Sequence, residues 1–133
     1  MSQHSWIEEE VEYFDNHLDE YLKLFYEHPA WKAYRAAADD LVAAYPIESV
    51  LDLGSGPAPS LPGLFERVKN YVCIDPSTAN VDYLKTHYPK ARVFKATAEL
   101  PDLECGPFDL VICSGLLHHI YDPHLVVRLC ANK

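Results

Sequence analysis

The segment Val50-Leu51-Asp52-Leu53-Gly54-Ser55-Gly56-Pro57-Ala58-Pro59-Ser60 constrains this chain more than any other. A short apolar run ends in two glycines one residue apart, and a helical stretch is expected shortly after. Gly54 and Gly56 lack a Cβ, so the backbone can turn sharply there and a ligand can approach it closely. A helix starting after such a turn would aim its positive N-terminal end at the same spot. Strand, glycine turn and helix in that order describe the binding crevice of doubly wound α/β folds.

The rest of the chain supports that reading. Short apolar runs at Val50–Leu53, Tyr71–Ile74, Arg92–Phe94 and Leu110–Cys113 predict four strands, each too short for a helix. Helical spacing predicts a short helix near Leu64–Lys69 and another over Thr78–Tyr88, stopped by Pro89. Strands alternating with helices imply a parallel sheet. Residues 1–46 read differently, as a helical extension that could act as a lid, with the α/β part over 47–133. One helix face is formed by Ile7, Val11, Phe14, Leu18, Leu22 and Phe25 and ends at His28-Pro29. A second helix should carry Trp31, Tyr34, Ala38, Leu41, Val42 and Tyr45 on one face and stop at Pro46. These aromatic stripes suit either core packing or closure over a ligand.

Charge excludes one class of partner. Of 20 acidic and 11 basic residues in the 133, eleven acids and three bases lie in residues 1–48, leaving nine against eight in the remainder. No basic stripe exists to displace phosphate counterions, so nucleic acid is not an expected partner. No apolar run approaches a membrane span, and the start has no basic, signal-like region. A cytoplasmic protein is expected, with Cys73, Cys105, Cys113 and Cys130 as reduced thiols without a C-x-x-C pair.

The ligand is the next question. A dinucleotide fingerprint needs a third glycine where Pro59 stands, and Pro57 and Pro59 remove two backbone donors that a pyrophosphate would use. Asp75, ending the second apolar run, still occupies the place of a ribose-binding acid, so an NAD-binding Rossmann protein stays among the alternatives.

Asp52-Leu53-Gly54-Ser55-Gly56-Pro57-Ala58 resembles motif I of the class I S-adenosylmethionine-dependent methyltransferases, with alanine where a third glycine is common. Val72-Cys73-Ile74-Asp75-Pro76-Ser77 is similar to motif II. Ala96-Thr97-Ala98-Glu99-Leu100-Pro101 resembles the loop after strand three. Phe108-Asp109-Leu110-Val111-Ile112-Cys113-Ser114-Gly115-Leu116-Leu117-His118-His119 resembles strand four and its turn. The resemblance implies an α/β, Rossmann-like three-layer sheet in the order 3-2-1-4, with helices on both faces and two N-terminal helices.

It also implies roles. Gly54, Ser55 and Gly56 would lie against the methionine end of S-adenosylmethionine, with Asp52 near its ammonium. Asp75 would accept the ribose hydroxyls. Ala98 and Glu99 would line the adenine pocket, where Thr97 replaces an acid frequent in relatives, and Ser114 would present backbone to the methionine moiety. His118 and His119 stand where a base would serve an oxygen or nitrogen nucleophile, and the same turn suits capping or packing. A zinc site from His118, His119 and His124 lacks a recognised spacing and a fourth ligand. The expected activity is methyl transfer to a small molecule. The alternative is a truncated, non-catalytic binding module. Relatives run on into a fifth strand, so the chain is expected to be part of a longer enzyme or to complete its sheet as a homodimer through the strand-four edge.

Overall fold

A computed structural model describes residues 3–97, 107–114 and 124, with the side chains of 3–7 excepted. The four strands β1 (Ser49–Leu53), β2 (Asn70–Asp75), β3 (Arg92–Lys95) and β4 (Leu110–Ile112) form one sheet in the order β3-β2-β1-β4. All three pairings are parallel, with Leu53 beside Ile74 and Asp75 beside Lys95.

Both faces of the central strands are buried, which is why they read as unbroken apolar runs. Val50, Tyr71 and Cys73 pack on one face with Leu61, Leu64, Phe65, Val68, Leu84 and Ile112. The alternate residues Leu51, Leu53, Val72 and Ile74 pack on the other, with Phe94, Phe108 and Val111. Helices α4 (Pro62–Arg67) and α5 (Thr78–His87) bridge β1 to β2 and β2 to β3. Both crossovers step in the same direction, so right-handed connections put both helices on the first face. The chain then jumps from β3 back across to β4. That reversal makes the C-terminal end of β1, flanked by β2 on one side and β4 on the other, the topological switch point, where such sheets bind ligands.

The N-terminal extension has three helices where two were expected: α1 (Gln3–Asn16), α2 (Leu18–Glu27) and α3 (Pro29–Val42). The break falls at His17. Its ring stacks on Tyr13, centroids 4.0 Å apart, and its Nδ1–H donates to the Tyr13 carbonyl at 2.6 Å. That carbonyl is the one the His17 amide would take in a continuous helix. The amide turns to Phe14 O at 3.4 Å instead, and the ladder stops.

The predicted aromatic face of α3 is also corrected. Trp31, Tyr34, Leu41 and Tyr45 are 42–70% exposed, whereas Ala38 and Val42 reach the core and Arg35 is buried. Arg35 lies over the Phe25 ring at 3.8 Å and donates to the Phe25 carbonyl. Tyr26 of α2 bonds Tyr88, just past α5, and burial pushes its hydroxyl up to about 12. The helix ends at Val42, short of Pro46.

Candidate functional site

The glycine turn leaves β1 as the sequence predicts. Gly54 and Gly56 both sit in the left-handed region, at φ 62° and 71°, a conformation that costs other residues roughly 1–2 kcal/mol. The amides of Gly54 and Ser55 both donate to Ile74 O, at 2.7 and 3.3 Å. Among the described residues, a Cβ built on Gly56 would meet nothing within 4 Å, so the turn borders open space there.

Asp75, at the C-terminal end of β2, closes the other side of that space. Its Oδ1 accepts from the Ser77 amide at 3.0 Å and from Asn80 Nδ2 at 3.1 Å, and its Oδ2 accepts from the Gly56 amide at 3.0 Å. Burial pushes its carboxyl pKa up, against the pull of these three bonds. With one bond on Oδ2 among the described residues, the carboxylate retains acceptor capacity for a ligand hydroxyl.

Asp52 has a different setting from the one expected of a ligand contact. It is fully buried, and both oxygens are engaged within the protein. Oδ2 accepts from the Ser60 amide at 2.8 Å and the Tyr71 hydroxyl at 2.7 Å, and Oδ1 accepts from Ser60 Oγ at 2.7 Å. These bonds pin the far end of the glycine loop to the strand it left. Desolvation pushes its pKa up to about 6, the hydrogen bonds notwithstanding. Ser55 is buried beside this loop. Cys73, on the neighbouring strand, is a free buried thiol whose pKa burial raises.

The helix after the turn does not offer its N-terminus to a ligand, contrary to the sequence reading. α4 begins only at Pro62, and its cap residue, Leu61, has no capping side chain. The free amides of Gly63 and Leu64 donate instead to Asp39 of α3, at 3.0 Å each. A carboxylate of the chain itself thus fills the place an anionic ligand group would need.

A cleft of about 590 Å³ opens at the C-terminal ends of β2 and β3, within the range of small-molecule sites. Pro76, Lys95, Ala96 and Thr97 form its sheet side, and Glu8, Val11, Glu12, Asp15 and Asn16 of α1 form its outer side. Thr97 Oγ1 is buried with no hydrogen-bond partner among the described residues. At the end of β4, Ser114 Oγ is 3.2 Å from the Tyr34 hydroxyl of α3. Ala98, Glu99, His118 and His119 lie outside the described residues. The sequence reading missed Asp15 and Asp39, whose partners lie 24 to 64 residues away. Nothing local distinguishes them from the other acids of the extension.

Comparison with known proteins places these features in company. The family model described as a methyltransferase domain matches residues 51–132. The ubiquinone biosynthesis O-methyltransferase of Hahella chejuensis is 32% identical over 95 residues, covering 68% of this chain and 40% of that protein. Among solved structures, the sugar N-methyltransferase KedS8 from Streptoalloteichus superposes with a TM-score of 0.68 at 23% identity, over 84% of this chain and 48% of that one. CalS10, an amino pentose methyltransferase from Micromonospora echinaspora solved with S-adenosylmethionine bound, gives 0.60 at 20% identity, over 77% and 45%. The chain spans less than half the length of these three proteins.

Proposed function

This chain belongs to the methyltransferase domain family, and from that premise we propose that it binds S-adenosylmethionine at the β1–β2 crevice and serves methyl transfer to a small organic acceptor. The observation that carries the reading is the Gly56–Asp75 hydrogen bond. It brings a left-handed glycine turn and a ribose-compatible carboxylate to the same end of a β3-β2-β1-β4 sheet, beside a cleft of suitable size.

Each residue then has a task. Asp75 takes the ribose hydroxyls, and Gly54, Ser55 and Gly56 lie against the methionine end, where the missing Cβ atoms allow close approach. Asp52 acts through the loop it holds, by fixing Ser60 and so the shape of the turn. Ser114 borders the methionine moiety from β4, and Ala98 and Glu99 line the base. The bound cofactor supplies a methyl group already activated by its sulfonium. The protein's contribution is alignment of the acceptor and exclusion of water. His118 or His119 serves as base where the acceptor atom must lose a proton.

The small-molecule class of acceptor rests on the relatives, which include a sugar N-methyltransferase and a ubiquinone biosynthesis O-methyltransferase. No helix among the described residues is long and apolar enough to cross a membrane. Cys73 and Cys113 are not joined in a disulfide, which suits a reducing cytoplasm. The α1–α3 segment acts as a lid, since α1 borders the cleft and Tyr34 of α3 reaches Ser114. β4 pairs with β1 on one side only among the described strands, and a further strand, from a second copy or from elsewhere in the protein, adds at its other edge.

A dinucleotide is the weaker fit. Pro57 and Pro59 withhold two donors, and Asp39 already occupies the α4 amides that a pyrophosphate would use. Thermal denaturation separates the two. S-adenosylhomocysteine should raise the melting temperature and NAD should leave it unchanged. Stabilisation by NAD alone would replace this reading with that of a nicotinamide-binding protein.

A further inference from the structure

The outer side of the cleft is made by α1, and Asp15 ties that helix to the sheet domain. Asp15 Oδ1 accepts from Ser77 Oγ at 2.6 Å and from the Ala79 amide at 3.0 Å. The donors are the N-cap residue and the second residue of α5, which begins three residues after Asp75, and the Ser77 amide itself donates to Asp75 Oδ1. Asp15 therefore lies one residue's hydrogen bonds away from the carboxylate assigned to the ribose. It also lines the cleft together with Glu8, Val11, Glu12 and Asn16.

Among the described residues, neither of the two core clusters draws a residue from α1. The helix meets the sheet domain chiefly through α5. A carboxylate accepting two hydrogen bonds at a helix start is a strong local tie.

We propose that Asp15 is a positioning residue of the cofactor site: its carboxylate clips α1 onto the first turn of α5 and so sets the outer wall of the cleft that holds the adenosine end of the ligand. Loss of the clip lets the wall swing out, and the ligand escapes faster. The argument rests on the cofactor reading above, because it assigns the cleft to that ligand.

The test measures affinity and release rate for S-adenosylhomocysteine, by calorimetry and stopped flow, on the parent chain and three variants. Asp15→Ala removes the oxygen that accepts both bonds. Asp15→Asn keeps one carbonyl oxygen in place. Asp109→Ala is the control: Asp109 accepts from the Glu48 and Ser49 amides where β1 begins, at the end of the sheet away from the cleft. Asp15→Ala should bind about tenfold more weakly, the loss residing in a faster release rate, and Asp15→Asn should recover most of it. Asp109→Ala should lower the melting temperature yet bind within about twofold of the parent. The proposal is overturned if Asp15→Ala binds and releases like the parent, or if Asp109→Ala loses as much affinity. Should Asp15→Ala fail to fold, Ser77→Ala removes one of the two donors instead, and a folded Ser77→Ala chain that releases ligand at the parent's rate would overturn the proposal equally. A folded parent that binds no S-adenosylhomocysteine would count against the cofactor reading itself, and with it this role for Asp15.

Discussion

The Gly56 amide donates to Asp75 Oδ2 across 3.0 Å, joining residues 19 positions apart. The bond ties the turn that leaves β1 to the last residue of β2. Parallel pairing of the two strands, with Leu53 beside Ile74, brings both to one end of the sheet. The crevice is thus preformed by the fold, without waiting for a ligand to assemble it.

Replacing Gly56 by alanine separates folding from binding. Among the described residues nothing lies within 4 Å of the added Cβ, so the folded chain takes on the strain of a left-handed alanine, at φ 71°, roughly 1–2 kcal/mol. The methyl group would project into the space assigned to the methionine end. Urea unfolding should therefore show a modest loss, while affinity for S-adenosylhomocysteine falls by about tenfold or more. Unchanged affinity would remove Gly56 from the site.

Asp52 should leave a signature in the pH dependence of stability. Its carboxyl titrates near 6 in the folded chain against an ordinary 3.8. Between those values the folded state binds a proton that the unfolded state does not, so acidification through this window favours folding. Asp52→Asn cannot take up that proton. The difference in unfolding free energy between parent and variant should move in the parent's favour as pH falls from about 7 to about 4, by up to roughly 3 kcal/mol. A difference that stays flat, or moves the other way, would show that Asp52 is not held up by burial.

Asp39 gives a purely structural prediction. It supplies the capping oxygens that Leu61 lacks, so Asp39→Ala should cost about 1–2 kcal/mol in urea unfolding. Gly63→Ala attacks the same contact from the other side, because its Cβ would sit 2.9 Å from Asp39 Oδ2. Stability unaffected by both changes would mean that α4 finds its cap elsewhere.

The sheet was legible in the sequence because buried parallel strands leave short continuous apolar runs, and because Gly54, Gly56 and Asp75 carry constraints that few other residues meet. The N-terminal helices were less so. The apolar spacing of Phe14 and Leu18 runs straight through the break at His17, which depends on a ring stacking over Tyr13 and capturing its carbonyl. The same tyrosine–histidine spacing recurs at the end of α5, where His87 stacks on Tyr83 at 3.8 Å and bonds its carbonyl. On α3 the aromatic stripe suggested the buried side. Arg35 is buried instead, held by Phe25 in a contact that hydrophobic periodicity does not register. Asp15 and Asp39 were invisible for a related reason. Each acts on a helix start far along the chain, and a solvated acid has the same local sequence as a capping one.

The central claim is that the Gly56–Asp75 crevice binds S-adenosylmethionine, and calorimetric titration with S-adenosylhomocysteine tests it most directly when the parent and Asp75→Ala are run side by side. The account predicts micromolar binding by the parent and none measurable by a variant that circular dichroism shows to be folded. A folded parent that releases no heat at any concentration tried, or an Asp75→Ala chain that binds as tightly as the parent, would contradict it.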